Sequence, residues 1–213
     1  LIEAVKTNDI KIVELVLEHF DLKFVNESTK EGTALTLAVK KLNLEIVNKL
    51  LSIEGINAGL VDSSNETALS IAIMKQEDEI CNSILDFYGD NLKDQVFQLN
   101  KAIRMFLILD SLEKPAFGKM TRKTFKSSFG KTSFGFRKNQ NLDLKIDKKM
   151  IPILKRILEV ENVDLNCCEG NYSILSFICR INERSLVEYL LKKKDLDVNL
   201  KDPNEGNTAL IVS

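Results

Sequence analysis

An apolar residue followed three and four positions later by two aliphatics recurs along this sequence at a nearly fixed interval. Val13 is followed by Val16 and Leu17, Val47 by Leu50 and Leu51, and Cys81 by Ile84 and Leu85. Further on, Leu154 is followed by Ile157 and Leu158, and Val187 by Leu190 and Leu191. The steps from Val13 to Val47 and from Val47 to Cys81 are equal, and the step from Leu154 to Val187 is one position shorter. A second landmark lies at one constant offset upstream of the anchors: Leu1 to Ala4, Leu35 to Ala38 and Leu69 to Ala72 all read Leu-x-x-Ala, and Leu175 holds the same place before Val187. Leu210 opens another such unit, which the chain does not finish. Self-similarity at this period predicts stacked supersecondary units, because one unit of this size cannot bury its apolar face alone.

Each unit holds two short segments of helical apolar period, the first over about 33–41 and the second over about 44–52 in the second unit. A polar residue separates them (Asn8, Asn43, Gln76 or Asn182), suited to the left-handed conformation that ends a helix. After the second helix an extended run is expected, as in Leu196-Asp197-Val198-Asn199-Leu200. Turn residues follow: Lys30-Glu31-Gly32, Ser63-Ser64-Asn65, Glu169-Gly170-Asn171 and Asn204-Glu205-Gly206-Asn207. Thr33, Thr67, Ser173 and Thr208 then stand where a helix N-cap belongs.

A turn followed by two antiparallel helices, repeated at about 33 residues, resembles the ankyrin repeat. The resemblance is carried by Gly32-Thr33-Ala34-Leu35-x-x-Ala38 with Leu44-Glu45-Ile46-Val47-x-x-Leu50-Leu51. Asn65-Glu66-Thr67-Ala68-Leu69 with Ala72, and Gly206-Asn207-Thr208-Ala209-Leu210, repeat it in phase. Two departures stand out. Ala34, Ala68, Ile174 and Ala209 occupy the place of the family's Pro, and Thr36, Ser70, Ser176 and Ile211 that of its His. The hydrogen bonds that His makes between repeats are therefore in question, and a looser, less stable array is expected.

The step from Cys81 to Leu154 is a little more than twice the regular one. Leu99-Asn100-Lys101-Ala102 preserves the first-helix landmark, but the next good anchor, Leu154, comes far beyond the regular offset. The excess is an apparent insertion of roughly 40 residues between the two helices of one repeat, far longer than an ordinary connection. Two decayed repeats in the same space are the alternative. The expected layout is repeats over 1–92, the first helix of a degenerate repeat over 93–112, an insertion over 113–144, and repeats over 145–213, clipped at the C-terminus. Residues 114–138 contain eight Lys and Arg, no acid and five Phe among Gly, Ser and Thr, without any period. An exposed loop is expected there. Such a segment can grip single-stranded nucleic acid by charge and stacking, lie on an anionic membrane surface, take phosphate on Thr121, Thr124, Ser127 or Ser128, or have no dedicated partner.

Composition narrows the classes further. A formal net charge of -1 on 213 residues gives no global basic excess for nucleic acid, and 44% hydrophobic residues allow a substantial core. The densest apolar run, Met105 to Leu109, is far short of the roughly 20 residues of a membrane-spanning helix. The chain opens on Leu1 without Met, so a missing signal peptide carries no information. Cys81, Cys167, Cys168 and Cys179 form no C-x-x-C and read as small buried hydrophobes in a reducing compartment, a disulfide or metal role being the alternative. His19 is the single histidine and sits at a helix end, where a cation complements the dipole. Gly130-Lys131-Thr132 lacks the earlier Gly that a phosphate-binding loop needs, since Phe125 stands in its place. No acid–base pair can be nominated among the scattered carboxylates.

The expectation is an all-α solenoid of stacked helix-turn-helix repeats with short hairpin loops, non-enzymatic and without cofactor or metal. The resemblance implies an intracellular, cytoplasmic protein-interaction scaffold that binds a protein partner through one concave strip. Hairpin tips supply Lys30, Glu31, Ser63, Asn65, Glu169, Asn171, Tyr172, Asn204 and Glu205 to that strip, and the first helices supply Lys40, Lys41, Lys75, Gln76 and Arg180. These residues lie outside the aliphatic ladder, so the fold is not expected to require them. The alternatives are a nucleic-acid-binding protein acting through 114–138, or the targeting module of an enzyme whose catalytic domain lies elsewhere.

Overall fold

The computed structural model of the chain describes residues 1–19, 21, 24–89, 94–111, 146–169, 172–202, 206 and 208–212. The basic segment 114–138 and the expected tip residues Asn171, Asn204 and Glu205 lie outside them. The chain divides into two compact units, which separate between Gln98 and Leu99.

The first unit contains α1 (Ile2–Thr7), α2 (Ile10–Leu17), a hairpin of β1 (Ser28–Thr29) and β2 (Gly32–Thr33), α3 (Ala34–Lys40), α4 (Leu44–Leu51), α5 (Ala68–Lys75) and α6 (Asp78–Tyr88). Strands β1 and β2 pair antiparallel, with Ser28 opposite Thr33, and a bridge between Val61 and Thr67 marks the same place one repeat later. The first helices α1, α3 and α5 pack side by side, and the second helices α2, α4 and α6 form a second row against them. Helix α7 (Val96–Ser111) runs across the boundary. In the second unit follow a 3-10 turn at Lys148–Met150, α8 (Ile151–Leu158), a hairpin of β3 (Cys168–Glu169) and β4 (Tyr172–Ser173), α9 (Ile174–Arg180), α10 (Arg184–Leu190) and α11 (Ala209–Val212).

The anchor pattern is the core. Val13, Val47, Leu50, Cys81, Ile84, Leu85, Leu154, Ile157, Leu158 and Leu190 are all fully buried. Every residue from Ala34 to Val39 and from Ala68 to Ile73 is buried too, so the first helices form the interior and only their last turns emerge. Leu191 and Leu210 differ from their counterparts: Leu51 and Leu35 are buried, but Leu191 is 55% and Leu210 85% exposed. Among the described residues no second helix follows α11 to cover them.

Thr36 and Ser70, two of the hydroxyls that stand in the place of the family's His, close capping boxes. Thr33 Oγ1 accepts from the Thr36 backbone N–H at 3.2 Å, and Thr36 Oγ1 accepts from that of Thr33 at 2.9 Å. Thr67 and Ser70 repeat this at 3.2 and 2.9 Å. Ser173 Oγ accepts from the Ser176 N–H at 3.2 Å, while the Ser173 N–H donates to Asp202 Oδ1 of the next hairpin at 2.8 Å. Each box satisfies two of the donors that a helix start would otherwise orphan. Gly32 is obligatory beside the first: its φ is +124°, and a Cβ would run into Thr36 Oγ1.

Bonds between neighbouring repeats come from other residues. Asn26, seven positions before its cap, donates to the Gly55 carbonyl at 2.8 Å and accepts from the Asn57 N–H at 2.8 Å. Asn166, seven before Ser173, repeats the clasp with the Asp195 carbonyl and the Asp197 N–H, both at 2.7 Å.

Two local expectations are corrected. In the second repeat the left-handed residue is Leu42, with φ +59°, while Asn43 caps α4 by accepting from the Ile46 N–H at 3.0 Å. Asn8, Gln76 and Asn182 do take φ near +60°. Residues 196–200 are a turn instead of an extended run: Asp197 Oδ1 accepts from the Asn199 N–H at 2.9 Å, and the Leu200 N–H reaches the Asp197 carbonyl at 3.3 Å. The aspartate side chain bends its own backbone, as it does in turns generally.

Candidate binding surface

Five positions after the Leu of each first-helix landmark stand Lys6, Lys40, Met74, Arg104 and Arg180. Four of these are basic and three make ion pairs with the following hairpin. In the first unit Lys6 Nζ lies 2.9 Å from Glu3 Oε1 and 3.0 Å from Glu31 Oε1 of the hairpin tip. The bond to Glu3, then that to Glu31, holds the Lys6 ammonium above its ordinary range. Lys40 Nζ donates to the Glu31 carbonyl at 2.7 Å and pairs with Asp62 Oδ2 at 2.8 Å. Asp62 is buried, and its Oδ1 also accepts from the Ser64 and Glu66 N–H groups at 2.8 and 3.0 Å. A buried carboxylate with three partners is the arrangement that repays its desolvation.

In the second unit Arg104 of α7 meets Glu169 of β3 at 3.4 Å. Arg180, at the end of α9, stacks over the Tyr172 ring of β4 at 4.3 Å from its centroid. A guanidinium over a ring face is a favourable, partly desolvated cation–π contact. The helix direction explains the geometry: side chains lean toward the helix start, which carries a last-turn base back toward the hairpins.

The expected strip residues thus divide. The structure brings Glu31 together with Lys40, Glu169 with Arg104, and Tyr172 with Arg180. Lys30, Ser63 and Asn65 are exposed on the turns, Lys41 and Lys75 are exposed at first-helix ends, and Gln76 is half-buried at the left-handed C-cap of α5. Glu31, Lys40, Glu169, Tyr172 and Arg180 each have an intramolecular partner. Lys6, Asp62, Arg104 and Asp202 were absent from the expected set. The fixed offset from the Leu-x-x-Ala landmark would have identified Lys6 and Arg104.

Thiol chemistry finds no support in the described cysteines. All four are unbridged. Burial pushes the Cys167 thiol up to about 12, and burial also raises Cys168 and Cys179, so the nucleophilic thiolate is suppressed. No group of three or more His, Cys, Asp and Glu among the described residues is arranged to hold a metal. None of the helices described is long and apolar enough to cross a membrane. His19 Nδ1 lies 3.2 Å from the Leu15 carbonyl just beyond α2, consistent with a helix-end role.

Comparison with known proteins gives the same pattern. Residues 1–95 match the family model for ankyrin repeats, three copies. Among solved structures, the crystal structure of EF0377, an ankyrin repeat protein, is similar with a TM-score of 0.56 and 19% identity, over 98% of this chain and 86% of that one. No curated protein matches by sequence.

Proposed function

Because residues 1–95 are ankyrin repeats and the chain takes the ankyrin-repeat fold, we propose that it is a non-enzymatic scaffold that binds a protein partner through hairpin tips and first-helix ends. Repeats of this kind are generally protein-interaction modules and generally non-catalytic. The observation that carries the reading is the composition of the emergent surface. First helices are buried except at their last turns, so what they offer a partner is a set of long polar side chains beside the tips. In the second unit the leading contacts are Tyr172 and Arg180, of the residue types that dominate binding energy at interfaces, already preorganised against each other. Unbridged cysteines fit an intracellular, reducing location.

The test is capture of a partner from a reducing extract, then Tyr172→Ala with Arg180→Ala. Binding is expected to fall by about tenfold or more while helical ellipticity barely changes. Binding that survives this change, and also replacement of Lys30, Ser63, Asn65, Asn204 and Glu205, removes the strip and makes 114–138 the leading candidate.

We also infer that α7 and α8 are the first and second helices of one repeat, with 113–144 inserted between them. Arg104 supports this, because it meets Glu169 as Lys6 meets Glu31, from the helix of one repeat to the next hairpin. Asn100 Oδ1, which accepts from the Asp164 N–H at 2.8 Å, adds a second link over the same span. Replacing 113–144 by a short Gly-Asn turn is then expected to leave one cooperative helical melt of the second unit. Loss of that melt would favour two decayed repeats.

A further inference from the structure

We propose that the first unit's strip takes an extended acidic segment of a partner protein, carrying a carboxylate at about every third residue. This rests on the strip being the protein-binding surface and adds the chemistry of what it binds. Residues 1–98 contain 17 Asp and Glu against nine Lys and no Arg, yet the two signs are segregated. Of the seven lysines among the described residues there, five lie at a hairpin tip or a first-helix end: Lys6, Lys30, Lys40, Lys41 and Lys75. The second helices hold Glu14, Glu45, Asp78, Glu79 and Asp86 against Lys11 and Lys49.

Of the acids beside the strip, Asp62 is buried against Lys40, Glu3 and Glu31 are both bound to Lys6, and the buried Glu66 accepts from Ser70 Oγ. Lys30, Lys41 and Lys75 reach solvent. The helix dipole accounts for one base at each first-helix end, but not for Lys41 directly after Lys40 or for Lys30 on a hairpin. These three exposed lysines on an otherwise acidic unit attract an acidic partner and orient it away from the other faces.

Spacing sets the partner's form. The first helices α3 and α5 pack side by side, and packed helices lie about 8–10 Å apart. An extended polyproline II chain has about three residues per turn and advances about 3.1 Å per residue, so every third side chain returns to the same face and meets the next repeat. Nucleic acid is disfavoured, because a duplex with a charge per about 1.7 Å would bring dense negative charge over an acidic unit.

The experiment titrates the full chain with a labelled peptide of Glu-Ser-Gly repeats, its Lys-Ser-Gly counterpart and a single-stranded oligonucleotide. Two double variants are compared, Lys41→Glu/Lys75→Glu on the strip and Lys11→Glu/Lys49→Glu on the second helices, which change the net charge equally. The acidic peptide is expected to bind best, to lose about tenfold in affinity in the strip variant, and to change by less than about twofold in the control. No binding of the acidic peptide, equal losses in both variants, or preference for the basic peptide or the oligonucleotide would each overturn the proposal. If a captured protein partner is lost on changing Tyr172 and Arg180 but is indifferent to Lys41→Glu/Lys75→Glu, the strip stands and the acidic partner fails. A partner indifferent to both sets sinks the strip itself.

Discussion

Leu50→Ala and Leu190→Ala are each expected to destabilise their own unit by about 2–5 kcal/mol, read from denaturant unfolding followed by helical ellipticity. Both side chains are completely buried. Leu50 lies on α4, whose row neighbours are α2 and α6, and truncation leaves a cavity that close-packed helices cannot collapse to fill. In a linear array each repeat is held only by its neighbours, so damage at one layer weakens two interfaces. Leu15→Ala is the control, since Leu15 is 62% exposed and its loss should cost well under about 1 kcal/mol. Losses below about 1 kcal/mol at both Leu50 and Leu190 would show that the anchors are out of phase with the layers.

What the sequence made legible is what repeats. The anchors, the Leu-x-x-Ala landmarks and the Thr or Ser caps each recur at fixed offsets, and a pattern present several times over averages out local ambiguity. Helix limits followed closely: 33–41 and 44–52 became Ala34–Lys40 and Leu44–Leu51. Single-residue choices were less visible. Whether Leu42 or Asn43 takes the left-handed conformation depends on which side chain can cap α4, and only Asn43 can, so Leu42 carries φ +59° instead. The turn at residues 196–200 is set by Asp197 bonding its own backbone, where alternation of Leu and Val suggests a strand. Asp62 and Asp202 look like ordinary turn acids until one partner of each, Lys40 and the Ser173 N–H, is seen to come from a neighbouring repeat, well outside the reach of local side-chain to backbone bonding. In the candidate strip, exposure of Lys30, Lys41, Ser63 and Asn65 was legible, whereas the internal engagement of Glu31, Lys40 and Glu169 was not, because it requires the register of one repeat on the next.

Removing Asp62 should have an effect of similar size to the loss of a core leucine, although the residue lies beside the candidate strip. Its carboxylate accepts from the Ser64 and Glu66 backbone N–H groups and pairs with Lys40 at 2.8 Å. The Asp62 side chain is 1% exposed, while that of Lys40 is 29% exposed, so the two halves of the pair are unequally costly to remove. Asp62→Ala strips two backbone donors of their buried acceptor and leaves the Lys40 ammonium without its ion-pair partner, with an expected loss of about 3–5 kcal/mol. Lys40→Met keeps the alkyl stem and leaves the carboxylate its two backbone donors, and the expected loss is about 1–3 kcal/mol. Asp62→Asn added to Lys40→Met removes the unpaired carboxylate, so the double variant should be more stable than Lys40→Met alone. The first unit should keep its helical ellipticity below its melting point in every variant, because the helices are held by the aliphatic layers. If Asp62→Ala costs less than about 1 kcal/mol, the carboxylate is no more than a solvated turn residue. Lys40 would then be available to a partner, not committed to holding the turn at the Val61–Thr67 bridge against the second repeat.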